Sequence, residues 1–338
     1  MKSKKTYLFL VLLICLFALF FLDLIFGSVA IPLKTALNAL FGNGTESDVQ
    51  IIQNIRLPKA ITAVLSGMAL SVCGILMQTL FRNPLAGPYV LGVNSGANLG
   101  VALVMLSSGF LSIELNSFFS DLSIVTAAVI GALAVLLLVM AVAKKIKNNT
   151  GLLLAGIMLG QMVAAVQSLL EYFSDAESLK SFVLWNMASI SNTTLSDLIL
   201  LAPLVIILCL LSLLLMKRLD VLLLGEDYAN SLGLNVKQLR LVIIITTGVL
   251  SGVVTAFCGP IAFIGIAIPH LSRLFLKTSL HKYIIPASII LGPCVMLLCD
   301  IICQLPANGV LLPLNVITSV IGAPVVLYLL LKNNKAIS

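Results

Sequence analysis

Charge is what this sequence has least of. Lys, Arg, Asp and Glu together make up 10% of its 338 residues, against about 25% in soluble domains. Hydrophobic residues make up 60%, and mean hydropathy is +1.16. That balance excludes an ordinary soluble domain and identifies an integral membrane protein. There is no GxxxxGK[ST] run, so the chain holds no phosphate loop for ATP. The seven cysteines (15, 73, 209, 258, 294, 299 and 303) are odd in number and lie in apolar stretches. With no CxxC pair and no histidine cluster beside them, they argue against a disulfide framework or a zinc site. Cys299 and Cys303 share a helix face, where they read as small buried apolar residues. No nucleophile, metal-ligand or paired-carboxylate constellation stands out, so an enzyme is not indicated. Basic residues exceed acidic ones by seven. In a membrane protein such an excess collects on the cytoplasmic side and does not indicate nucleic-acid binding.

Long apolar runs fill the chain. A span needs about 20 apolar residues, which leaves room for roughly ten with short connections. No separate soluble domain remains, and residues 1–338 read as a single all-α transmembrane domain. Tyr7–Phe26 is expected to be an uncleaved first span, because it is long for a signal peptide and lacks a clear small-residue cleavage site. Gly27–Ile55 reads as an external loop. The second span runs from Arg56 to about Phe81, with Pro58 in its first turn. Arg82-Asn83-Pro84-Leu85-Ala86-Gly87-Pro88 then breaks the helix. The third span opens unusually polar at Asn94-Ser95-Gly96-Ala97-Asn98 and ends near Ser107. Spans four and five are Leu122–Ala143 and Gly151–Phe173. Residues 174–197, with Leu179, Phe182, Val183 and the single tryptophan Trp185, suggest a short interfacial helix. The remaining spans are Leu198–Met216, Leu241–Phe257, one ending at Pro269–Arg273, Tyr283–Cys303 and Leu311–Leu331.

With the N-terminus inside, ten spans place 16 of the 20 lysines and arginines in inside segments, leaving Lys34, Arg56, Lys59 and Lys180 outside. The inside set includes Lys2, Lys4, Lys144, Lys145, Lys147, Lys332 and Lys335. The positive-inside rule thus predicts that both termini are cytoplasmic.

Residues 220–240, DVLLLGEDYANSLGLNVKQLR, form the longest polar, helix-patterned stretch between two spans. Leu224, Tyr228 and Leu232 recur at i, i+4 and i+8 as one narrow apolar stripe. Glu226 and Asp227 suit a first helical turn, and Gly233 suits a C′ position. Asn235, with Gln238 three residues on, is expected to start a second short helix. One reading is a solvated loop. The other is a cytoplasmic knob of two short helices joined at a glycine and built to press on another protein.

Polar residues inside the spans are few. GxxxG pairs occur at Gly96/Gly100, Gly156/Gly160 and Gly248/Gly252, and close helix packing is their default explanation. Gln161 and Gln167 would be costly facing lipid, which places span five beside a polar pathway. Asp23, Glu171, Asp300 and His270 fall near span ends, within reach of water or headgroups. A carrier driven by protons or sodium keeps such groups nearer the midplane. Arg56 and Lys59 share a face at the start of span two. They either snorkel to the interface or bind carboxylates of an external protein.

Five segments resemble the FecCD-type permeases, the membrane subunits of ABC importers for iron–siderophore complexes, haem and cobalamin. They are RLPK at 56–59, RNPLAGPYVLGVNSGA at 82–97, LGEDYANSLGLNV at 224–236, GPIAFIGIAIPHLSR at 259–273 and IGAPVVLYLLLK at 321–332. The resemblance implies a ten-helix subunit of a bacterial cytoplasmic membrane, paired with an identical or closely related chain. Its pathway would run along the dimer axis beside span five, through Asn94, Ser95, Gly156, Gly160, Gln161 and Gln167. Leu224, Gly225, Glu226, Asp227, Tyr228, Leu232 and Gly233 would belong to coupling helices docked on a cytoplasmic ATPase dimer. ATP and Mg would stay on that partner, with no cofactor bound here. Arg56 and Lys59 would receive glutamates of an extracytoplasmic substrate-binding protein. The chain departs from the family at Lys59, where arginine is frequent. It departs again at Gln304, where some members carry an arginine, and at Leu311 and Asn315, often glutamate and glycine. The rival reading is an ATP-independent carrier or channel, and a third is a membrane scaffold.

Overall fold

The computed structural model describes residues 2–27, 31–111, 117–146, 149–305 and 311–334. Lys147 and Lys335 lie outside them, and the side chains of Lys2, Lys4 and Lys332 are likewise outside the description. Helix α1 (Lys2–Ile25) leads to two short helices, α2 (Leu33–Leu40) and α3 (Glu46–Gln50). A π-helical stretch at Ile51–Arg56 runs without a break into α4 (Leu57–Leu80). The expected external loop at 27–55 is therefore largely helical. It is folded over its own small core of Ile31, Ala36, Ala39 and Ile52.

Next come α5 (Val93–Leu111), α6 (Ser117–Ala143), α7 (Asn149–Phe173) and the short α8 (Ala176–Asn186). The span α9 (Leu195–Leu214) precedes two short helices, α10 (Met216–Leu223) and α11 (Glu226–Ser231). The chain closes with α12 (Val236–Cys258), α13 (Ile264–Leu276), α14 (His281–Cys303) and α15 (Leu314–Asn334). Among the described residues, seven helices are long and apolar enough to cross a membrane. Val93–Leu106, Ile264–Leu276 and Leu314–Tyr328 are shorter apolar helices, and together these supply the ten segments expected. Helices suit this setting, because each satisfies its own backbone N–H and C=O groups where hydrocarbon offers them no partner.

The predicted interfacial helix is α8. Asp175 caps it, accepting from the N–H groups of Glu177 (3.0 Å) and Ser178 (2.9 Å). Those donors favour the charged form and hold this exposed carboxyl below its usual range. Its aromatics face inward as well as out. Phe182 is fully buried, and the Trp185 indole N–H donates to the Ala256 carbonyl at 3.1 Å. Interfacial residence thus accounts for only part of the helix, and packing on the bundle accounts for the rest.

Nearly all of α4 is buried, with α9, α12, α13 and α14 packed around it. Gly67 lies against the backbone of Gly292 and Pro293 on α14, and Gly74 against the carbonyl of Gly265 on α13. Small residues let backbones approach this closely, which is how membrane helices gain packing energy without a hydrophobic driving force. Two of the GxxxG pairs behave in the same way. Gly96 and Gly100 of α5 meet Gly131 and Ala127 of α6, while Gly248 and Gly252 of α12 meet Leu133 and Val129 of α6.

Side-chain volume has no room at Gly74. A Gly74→Ala variant is expected to lower stability by about 1–3 kcal/mol, the usual range for overpacking. Its thermal midpoint in detergent should fall, and an unchanged midpoint would mean that α4 and α13 are not apposed as described.

Candidate translocation site and docking surfaces

Arg82–Gly92 connects α4 to α5 and turns back into the bundle. Its backbone is satisfied internally: Asn83 N–H donates to Gln78 (3.1 Å), Ala86 to Asn83 (3.1 Å), Leu91 to Gly87 (3.0 Å) and Val93 to Pro88 (2.9 Å). His270 Nε2 donates to the Pro84 carbonyl at 2.8 Å, tying the segment to α13. That histidine is buried and structural. The returning loop seats Leu91 and Gly92 on Gly156 and Gly160 of α7. The glycine pair of span five therefore admits a loop, whereas the other two pairs admit helices.

Beside this contact lies a cavity of about 390 Å³. It is lined by Asn94, Ser95, Gly156, Gly160 and Gln161, five of the six residues expected on the pathway. Gln167 is not brought to it; its Nε2 donates to Glu171 Oε1 at 2.7 Å on the same helix. Asn98, Asn186 and Asn315 complete a polar wall with Tyr89. Asn94 Oδ1 accepts from Ser251 (2.9 Å), Asn98 Nδ2 donates to Asn186 Oδ1 (3.1 Å), and Asn315 Oδ1 accepts from Ala262 N–H (3.2 Å). Asn98 Oδ1 is buried with no partner among the described residues. None of the described lining side chains carries a formal charge. Asn98 stood within the polar opening of span three, but Asn186 and Asn315 are distant in sequence and carry no local signal. Along α7 beside the cavity, Ile157, Met158 and Met162 are exposed.

The basic end of the bundle carries the 220–240 stretch. Its two short helices are α10 and α11, joined at Gly225, whose φ of +129° disfavours any side chain. This corrects the expectation of a junction at Gly233 followed by a short helix from Asn235. Gly233 (φ +79°) instead terminates α11, with Leu234 N–H donating to the Ala229 carbonyl at 3.0 Å. Asn235 is a cap, accepting from Gln238 N–H at 3.0 Å, but the helix it opens is the span α12 itself. Leu224, Tyr228 and Leu232 are 66%, 53% and 58% exposed. They do not form the expected single helical stripe, because the chain breaks at Gly225 and only Tyr228 lies within α11. Glu226 forms an ion pair with Arg240 at the start of α12. Arg82 donates to the Leu222 carbonyl at 3.1 Å, and Lys5 sits over the Tyr283 ring at 3.9 Å. The basic residues therefore gather at one end, as the alternating spans require.

At the opposite end, Arg56 and Lys59 are not an exposed pair. They are 4% and 5% exposed. Arg56 Nη1 donates to the Leu24 and Ile25 carbonyls at 2.8 and 2.7 Å. Lys59 Nζ lies 2.7 Å from Asp300 and 3.8 Å from Asp23. Gln304 Nε2 donates to Asp300 Oδ2 (2.7 Å) and Asp23 Oδ1 (3.1 Å). Asp23 and Asp300, expected to reach water, are instead buried here. Snorkelling fails because α1 and α14 close over the position. The charges answer one another where water cannot.

Known proteins share this sequence pattern and fold. The model of the FecCD transport family matches residues 13–332. A hemin transport system permease of Yersinia pestis is 33% identical over 91% of this chain and 90% of its own length. A vitamin B12 import system permease of Salmonella typhi is 36% identical over 83% and 84%. Among solved structures, an inward-facing metal-chelate type ABC transporter aligns with a TM-score of 0.81 at 28% identity, covering 97% of this chain and 99% of that one. A second, PsaBC from Streptococcus pneumoniae in complex with Fab, aligns at 0.58 and 15% identity over 80% and 89%, a likeness of fold alone.

Removing Lys59 strands two buried carboxylates. Lys59→Met is expected to cost about 3–5 kcal/mol, and adding Asp23→Asn and Asp300→Asn should restore most of it. Unfolding in detergent would show this, and a fully stable single variant would refute the buried cluster.

Proposed function

The chain belongs to the FecCD transport family, and on that premise we propose that it carries an iron–siderophore complex, haem or cobalamin inward across a bacterial cytoplasmic membrane. It does so as one half of a permease dimer, by alternating access. Hydrolysis resides on a separate cytoplasmic ATPase, which holds the ATP and Mg. An extracytoplasmic binding protein delivers the cargo. The observation that carries this reading is the exposure of Leu224, Tyr228 and Leu232 on a knob anchored at the basic end. Large apolar side chains left uncovered beyond the spans suit a protein partner, with an aromatic among them.

The cavity supports the same reading. Its volume is at the small end of the roughly 300–1,000 Å³ typical of ligand pockets, and the exposed α7 face beside it suits a second subunit that would enlarge the path. An ATP-independent carrier is less well supported, because no carboxylate, histidine or basic side chain lines the cavity among the described residues. Docking of the binding protein at Arg56 and Lys59 remains part of the proposal on one condition. Incoming glutamates must take the place of Asp23, Asp300 and the α1 carbonyls. Arg56→Gln should then weaken binding-protein affinity, and unchanged affinity would remove that assignment.

The decisive experiment is uptake into proteoliposomes holding this chain, its ATPase and its binding protein. Haem, cobalamin and several ferric siderophores are offered with and without ATP. One cargo is expected to enter, only with ATP and binding protein. Entry without ATP would establish the carrier instead. Tyr228→Asp with Leu232→Asp should weaken ATPase association at least tenfold, and normal co-purification would exclude the knob as the docking site.

A further inference from the structure

Four groups at the basic end form a chain of hydrogen bonds that the coupling surface itself does not need. Asp220 lies on α10, the first helix of the knob. Its Oδ1 accepts from the His281 backbone N–H at 2.9 Å and faces His281 Nδ1 at 2.7 Å. A carboxylate oxygen accepts only, so Nδ1 carries the hydrogen. The other ring nitrogen, Nε2, lies 2.8 Å from Thr79 Oγ1 on α4, and that hydroxyl is 2.8 Å from the Ile75 carbonyl. His281 and Thr79 are each 1% exposed. A doubly protonated ring donates to Thr79 while Thr79 donates to Ile75. A neutral ring takes the hydroxyl hydrogen instead. Both proton states keep Asp220, His281 and Thr79 connected, although in the neutral state the hydroxyl gives up its bond to the Ile75 carbonyl.

We propose that Asp220, His281 and Thr79 are the positioning residues that carry movement of the knob into the membrane spans; this rests on the reading of residues 224–233 as the ATPase contact. Geometry gives the reason. A partner pressing on α11 moves α10 with it across Gly225, and α10 passes the movement on only as far as its own attachments allow. Asp220 attaches α10 to the first residue of α14 and, through the ring, to the last turn of α4. From there two routes continue. Thr79 lies three residues before Arg82, where the returning loop begins that places Tyr89 and Asn94 on the cavity. In the other direction, α14 runs along α4 past the Gly67–Gly292 contact to Asp300 and Lys59 at the far end. One rigid connection therefore joins the knob to the cavity loop and to the opposite charge cluster. Leu219 and Leu222 bury the apolar side of α10, but an apolar contact can slide where a hydrogen-bonded one fixes register.

The test is the number of cargo molecules taken up per ATP hydrolysed by the reconstituted complex. Asp220→Ala and His281→Ala should lower that ratio at least about fivefold, the lower end of typical coupling free energies, while the ATPase still co-purifies. Asp220→Asn keeps an oxygen acceptor for both N–H groups and should stay close to wild type. Thr79→Val removes only the hydroxyl and should fall between them. Because Asn and Val preserve side-chain size, these two variants keep the test decisive if the alanine variants misfold. An unchanged ratio in every variant would overturn the proposal. So would equal losses in Asp220→Asn and Asp220→Ala, since that would make charge rather than the bonded geometry responsible. A wild-type complex with no ATP-dependent uptake would instead overturn the importer reading, and this assignment with it.

Discussion

Backbone-to-backbone approach along α4 is the constraint on which the rest of the structure depends. Gly67 and Gly74 bring α14 and α13 within reach of α4 without intervening side chains. In lipid no hydrophobic force gathers helices, so interhelical contact and internal hydrogen bonding must do so. Because α4 is surrounded, the segment after it can leave helical geometry without exposing its backbone to hydrocarbon. Arg82–Gly92 therefore returns to the bundle, closes its own hydrogen bonds and settles on Gly156 and Gly160. The polar cavity follows from that return.

The two ends of the molecule use charge differently. At the basic end, ion pairs and hydrogen bonds anchor α10 and α11 while Leu224, Tyr228 and Leu232 stay exposed. At the other end, Lys59, Asp23, Asp300 and Gln304 are sealed between α1, α4 and α14. A buried cluster of this kind is weak evidence for net stability, yet it gives α1 a defined register against the bundle. The same residue types thus serve an accessible partner surface in one place and internal fixation in the other. What separates the cases is whether a helix covers the position.

Much of the fold was legible from hydropathy, because a bilayer demands long apolar helices and the chain contains them in sequence. The helix-breaking run at 82–88 and the polar opening at Asn94 were legible too, since proline and clustered amides at membrane depth have few permitted settings. Of the six residues expected on the pathway, five line one cavity. Gln167 does not line it, because a glutamine in a span signals only that it needs a partner, and Glu171 one turn later supplies it. The break between α10 and α11 was put at the wrong glycine because both Gly225 and Gly233 suit helix ends, and only the backbone angles decide which one separates two short helices.

The sequence alone determined that this protein crosses a membrane many times, carries its basic residues toward one side and presents a patterned polar segment there. These follow from composition and local periodicity. The tertiary structure decided which polar residues meet. Asn186 and Asn315 join Asn94 and Asn98 around one cavity, Lys59 turns inward to two aspartates, and Asp220 reaches Thr79 through His281. Such meetings depend on helices distant in the chain packing side by side, and no local pattern specifies that.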